Sequence, residues 1–212
     1  MSVFSNALRG VVAAATLLAI GQAQAASSTG SGAQLVGIGI GTAAPIIGQR
    51  TDFLINVTGI NSVAAAGTAG NTVLSFNVGA GSTVTGIGWD VNNTAFTPSW
   101  LSEMVVRFGN TDGSGGVNLT VGNGDTFAGT AAYNSGGLLD LIGLGLSFTA
   151  NADGLVRFEF YESFNDPEVA LDGIWNSGAL TLQVVAIPEP ATYALMALGL
   201  FAVGAAARRR KV

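Results

Sequence analysis

The chain has 212 residues, a formal net charge of −5, and neither cysteine nor histidine. Those absences exclude thiol and imidazole catalysis, a disulfide framework, and zinc sites of the usual kind. Between residues 26 and 187 three cations (Arg50, Arg107, Arg157) stand against twelve acids, or −9. That balance disfavours nucleic acid as a partner, and the lack of lysine there removes Ser-Lys and Schiff-base chemistry.

In chain order, the first element is a targeting segment. Arg9 and the amino terminus give a weakly positive start, residues 10–21 are apolar, and Ala23-Gln24-Ala25 has the small-x-small pattern cut by signal peptidase. Residues 1–25 are therefore predicted to be a signal peptide, with Ala23 and Ala25 flanking the cleavage position. Residues 26–187 form the expected mature domain, one ordinary domain's length, opening with a small, polar leader over 26–33.

Short alternating segments follow. Residues 51–58 place Phe53, Ile55 and Val57 on one face, and 72–78 do the same with Leu74, Phe76 and Val78. Residues 83–91 carry Val84, Ile87 and Trp89, with glycines that predict a bulge or a close backbone approach. Segments 103–108 and 117–121 read as strands. Over 138–148 helical spacing gives way to alternation, and the second half is predicted to be a strand. Residues 155–161 point Val156, Phe158 and Phe160 inward and Arg157, Glu159 and Tyr161 outward. Residues 180–184 point Leu180, Leu182 and Val184 inward. Asn-Thr-Asp-Gly, Gly-Asn-Gly-Asp, Asn-Ala-Asp-Gly and Leu-Asp-Gly fill gaps between these segments as turns. The expected fold is all-β, a single β-sandwich or jelly roll.

The chain closes on Pro188, Glu189 and Pro190, an uncharged apolar run over 191–207, and the cations Arg208, Arg209, Arg210 and Lys211. At about 1.5 Å per residue the run spans roughly 25 Å, the short limit for a bilayer. It is predicted to be a transmembrane helix, with a basic stop at 208–211 held on the cytoplasmic side.

A secretory signal, Pro-Glu-Pro-Ala-Thr-Tyr-Ala-Leu, an apolar helix and an Arg cluster together resemble the PEP-CTERM sorting signal of exported Gram-negative proteins. The resemblance covers 187–212. It implies an exosortase as processing partner, an envelope, cell-surface or extracellular destination, and an exopolysaccharide or biofilm setting. The tail is then a removable tag rather than a lasting membrane anchor. Residues 85–91, 99–103 and 172–178 resemble segments common in PEP-CTERM proteins. The last of these is also similar to the closing strands of P-domain-like jelly rolls.

Chemistry in the mature domain is confined to carboxylates. Glu159 and Glu162 are the best local pair for a glycoside hydrolase, but their odd spacing puts them on opposite faces of a regular strand. Calcium suits acids in loops. The tightest cluster is Asp166, Glu168 and Asp172, open to two readings, a calcium site or solvated turn acids. Trp89, Trp100, Trp175, Tyr133 and Tyr161 raise carbohydrate binding, with the core as the alternative use of the tryptophans. The expected role is non-enzymatic, structural or adhesive, with a calcium- or carbohydrate-binding module as the alternative.

Overall fold

The computed structural model describes residues 33–38, 48–166, 169–186 and 190–209, and structural statements here concern those residues. The predicted signal peptide, most of the leader, Pro188, Glu189, Glu168, Arg210 and Lys211 lie outside them.

Twelve strands form in order: β1 (Gln34–Ile38), β2 (Arg50–Asn56), β3 (Ile60–Ser62), β4 (Thr72–Asn77), β5 (Thr83–Ala95), β6 (Met104–Asn110), β7 (Gly116–Thr120), β8 (Gly129–Asn134), β9 (Leu139–Asp140), β10 (Phe148–Thr149), β11 (Leu155–Glu162) and β12 (Gly173–Val185). A single 3-10 turn (Leu101–Glu103) leads into β6, and one helix, α1 (Pro190–Arg209), closes the chain. The first sheet runs β1-β7-β6-β11-β4. The second runs β10-β5-β12-β2, with β3 added to β12, and β8 and β9 to β5. All pairings between these strands are antiparallel.

The alternation read from sequence sets the inner faces. Val156, Phe158 and Phe160 from β11, and Leu180, Leu182 and Val184 from β12, are buried. Each such side chain contributes about 1.5–3 kcal/mol relative to exposure. Aromatic contacts join the sheets: Phe108 of β6 meets Phe148 of β10 with ring centroids 6.2 Å apart, and Phe160 meets Trp175 of β12 edge-on at 5.3 Å. Two inner faces interlocked in this way make an all-β sandwich.

The glycine-containing strand behaves as expected. In the β5–β12 pairing Gln183 faces Gly86 and Val184 faces Val84, so Thr85 is an extra residue. This bulge lets Val84 and Ile87, an odd number of residues apart, both reach the core. A Cβ on Gly88 would sit 3.0 Å from the Gly137 carbonyl oxygen, so the chain after β8 lies close against β5.

Three expectations need correction. The 138–148 segment yields only the two-residue strands β9 and β10; Leu144 and Leu146 sit in a turn. Its backbone folds onto itself, Leu144 N–H to the Asp140 carbonyl and Leu146 N–H to the Leu141 carbonyl, with Gly145 at φ +68°. Glu159 and Tyr161 are buried rather than solvent-facing. For Glu159 the cause is the 64–71 loop, whose Gly67 N–H and Asn71 amide both donate to its carboxylate. The leader gives way one residue earlier than expected: Ala33 is buried, and β1 follows at once.

Candidate functional site

Six elements end together at one end of the sandwich: β3, β5 and β11 finish there, and β6, β8 and β12 start there. Backbone hydrogen bonds tie their loops. Phe96 N–H donates to the Asp172 carbonyl, Leu101 N–H to Phe127, Ser163 N–H to Glu103, and Ser102 N–H to Asp125. Four carboxylates gather in this knot: Glu103, Glu162, Asp166 and Asp172.

Their states of satisfaction differ. Glu103 Oε2 accepts from Trp100 N–H at 2.8 Å, and Asp166 Oδ2 accepts from the Ser99 hydroxyl at 2.6 Å. Asp172 is fully buried, with one oxygen at a weak 3.5 Å from Asp166 N–H and the other without a partner. Glu162 is fully buried, and neither of its oxygens has a hydrogen-bond partner. The Ser62 hydroxyl lies near enough to favour its charge, but no hydrogen bond of ordinary geometry closes between them.

Electrostatics follow from this. Burial pushes the Glu162 carboxyl up to about 8, and the charges of Asp172, Glu103 and Asp166 add to the rise. Burial also raises Glu103 and Asp172, each with a further contribution from the Asp166 charge. The four carboxyls thus press on one another in a poorly solvated place. In the second sheet, the cross-strand neighbours Asn93 of β5 and Trp175 of β12 also have buried polar atoms without a partner among the described residues: the Asn93 amide and the Trp175 indole N–H.

Of the predicted calcium ligands, Asp166 and Asp172 are brought together, while Glu168 lies outside the described residues. Among the described residues no three carboxylates converge at metal-holding distance as they stand. Sequence reasoning assigned Glu162 to a hydrolase pair and overlooked Glu103. Glu159 is not Glu162's companion: it sits under the 64–71 loop and forms a 2.6 Å ion pair with Arg157. Burial opposes its charge, but Arg157, Gly67 N–H and Asn71 outweigh that and hold its carboxyl below the ordinary value. Other loop acids serve their own turns. Asp112 accepts from Ser114 N–H, Asp140 from Ile142 N–H, and Asp153 from Leu155 N–H and the Thr111 hydroxyl.

The aromatic residues divide between the two uses read from the sequence, core and open surface. Trp89, Trp175 and Tyr161 are buried, and the half-buried Tyr133 donates its hydroxyl to the buried Asp125 at 2.7 Å. Trp100 is exposed, joined at the same end by exposed Phe96, Phe127 and Phe164, which sequence reading did not single out. Elsewhere, a groove of about 550 Å³ crosses the second sheet, lined by Asp52, Leu54, Asp90, Ser135 and Leu138 over a floor that includes Gly88 and Gly178.

The remaining element is α1. It starts at Pro190, where proline's missing N–H and fixed φ suit a first helical turn. Every described side chain from Leu195 to Val203 is exposed, including Leu195, Met196, Leu198, Leu200, Phe201 and Val203. An apolar surface on all sides of a helix has no use in water. Arg208 follows it, exposed. Residues 186–211 match the PEP-CTERM protein-sorting motif. A PEP-CTERM tail implies an exported, envelope-associated protein handled by an exosortase-type enzyme. No curated protein matches the chain.

The predicted transmembrane helix meets a limit here. Among the described residues no helix is long and apolar enough to cross a membrane. Nine of the seventeen residues in 191–207 are alanine or glycine, which carry little hydrophobicity for their length.

Proposed function

We propose that this chain is a non-enzymatic envelope or extracellular-matrix protein, structural or adhesive in role, delivered by its PEP-CTERM tail and separated from that tail by an exosortase near Pro188, Glu189 and Pro190. The observation that carries this is the conjunction of the sorting motif with a helix exposing six large apolar side chains. Such a helix is stable only when lipid or an enzyme covers it. Its many alanine and glycine residues suit a handle held briefly in the membrane better than a permanent anchor. Signal peptidase acting after Ala25 is part of the same route. The setting is an exopolysaccharide or biofilm matrix, as the sorting class implies, and the Gly173-Ile174-Trp175 start of β12 suits a jelly-roll-like sandwich. The non-enzymatic reading is supported by the fates of Glu159, neutralised by Arg157, and Glu162, buried on the other face.

The test is replacement of Pro188, Glu189 and Pro190 by alanine in the native host. The variant should accumulate at full length in the membrane fraction while the parent is processed. Equal processing of both would overturn the assignment.

A second reading, carbohydrate adhesion, is favoured by the exposed Trp100, Phe96, Phe127 and Phe164, since sugar rings stack on open aromatic faces. Trp100→Ala should weaken retention on the host's own exopolysaccharide several-fold; unchanged retention would count against it.

A further inference from the structure

Buried carboxyl groups are tolerated when they are hydrogen-bonded, paired with a cation, bound to a metal, or neutralised by a proton. Among the described residues no cation and no hydrogen bond of ordinary geometry reaches Glu162, although the Ser62 hydroxyl lies close by, and Asp172 has one long contact with Asp166 N–H, with the Ser99 hydroxyl also nearby. Both are fully buried at the same knot of loops. The three arginines of the domain are engaged elsewhere or too far along the chain's strands to serve: Arg157 pairs with Glu159, Arg107 reaches Asn118, and Arg50 reaches Gln183. A third buried oxygen, Ser62 Oγ, is also without a partner and faces the same interior, opposite Gly173 in the β3–β12 register. Oxygen donors of this kind, with negative charge and no nitrogen or sulfur ligand of the softer metals, match a hard divalent cation.

We propose that this end of the sandwich binds one calcium ion, with Glu162 and Asp172 as the buried carboxylate ligands, Ser62 as a neutral oxygen ligand, and Glu103 and Asp166 as rim carboxylates drawn in on binding. Acidity alone would not make a site; here the fully buried Glu162 carboxyl, both oxygens unpartnered among the described residues, stands among three other carboxyls. Calcium fits better than magnesium because it accepts six to eight oxygens in a loose geometry, whereas magnesium demands a near-ideal octahedron. Because no three of the carboxylates yet converge, binding requires the rim to close, and it should stiffen the loops after β5 and β11 that carry Phe96 and Phe164. This inference stands apart from tail processing, and either can fail without the other.

The experiment titrates calcium chloride, and magnesium chloride as control, into the full chain in detergent at constant ionic strength after chelator treatment. Calcium should raise Tm saturably by at least about 3 °C, and magnesium much less at equal concentration. Glu162→Gln and Asp172→Asn should each abolish the rise; Glu162→Gln should also melt higher than the parent in chelator, since it removes the cost of holding an ionisable carboxyl in a buried place. A flat calcium titration overturns the proposal, as does a rise that survives both substitutions. Should either variant fail to fold, terbium as calcium's stand-in decides on the parent chain alone. Tryptophan-sensitised terbium emission, displaced by calcium, supports the site near Trp100 and Trp175, and its absence overturns it.

Discussion

At the scale of single residues, the acids of this protein have distinct occupations that their abundance in the sequence conceals. Asp112, Asp140 and Asp153 accept backbone N–H groups two residues on and shape their own turns. The turns at Asp112 and Asp153 were legible, because Asp followed by Gly between apolar runs has a local cause; the turn at Asp140, followed by Leu141, was not. The fates of Glu159 and Glu162 were not, because they depend on what lies across the fold: a loop over one face, the closed end of the sandwich at the other. Glu159 supplies a pH prediction. Its carboxyl is held below the ordinary 4.5 when folded, so its contribution is complete above 4.5 and is lost as pH falls through the lower folded value. Tm of the parent should therefore fall with acidification in that range, and Glu159→Gln should flatten this part of the fall while lowering Tm at neutral pH. An identical acid limb in both proteins, followed by thermal melts, would contradict the role given to the Arg157 pair. Gly178 supplies a second test. It holds φ +108°, and an added Cβ would lie 2.1 Å from the Asp90 carbonyl oxygen. Gly178→Ala should cost more than about 1 kcal/mol in a denaturant titration.

Among the elements, strands with strict alternation were read correctly as strands, and their inner faces with them, because a period of two puts alternate side chains on opposite faces; the outer face of β11 is nonetheless covered at Glu159 and Tyr161. β11 and the second half of β12 are of this kind. β5 is longer than predicted, running on to Ala95, since its glycines and asparagines weaken the pattern while its pairing to β12 and β8 sustains it. β1, β3 and β8 were missed. They are short or rich in Gly, Ala and Thr, and they exist through the partners they pair with. The 138–148 segment misled in the opposite direction: its leucines alternate, but glycines at 143 and 145 let the backbone turn. The core itself rests on few aromatic residues. Phe158 touches both Phe76, edge-on at 5.6 Å, and Phe108, stacked at 5.7 Å. Phe158→Ala should lose about 3–5 kcal/mol of unfolding free energy, measured by urea denaturation; a loss under about 1 kcal/mol would mean that the two sheets do not depend on this aromatic row.

For the whole molecule, the division of labour follows the charges. Five of the eight cations lie in the two terminal segments: Arg9 at the start, and Arg208, Arg209, Arg210 and Lys211 at the end. Cutting both away leaves an all-β domain of charge −9, more acidic than the encoded chain. A surface of that charge disfavours nucleic acid and anionic lipid, both of which need Lys or Arg to replace their counterions. The sorting motif was legible, because its Pro-Glu-Pro, apolar run and basic cluster are contiguous in sequence. The carboxylate knot was only half legible, with Asp166 and Asp172 adjacent in the chain but Glu103 and Glu162 brought to them by folding. The central claim is that the tail directs the protein and is then removed. Intact-mass measurement of the protein isolated from its native host tests it most directly. The account predicts a polypeptide that begins at Ala26 and ends near Pro188, with any attached group visible as added mass; a chain still ending in Val212 would contradict it.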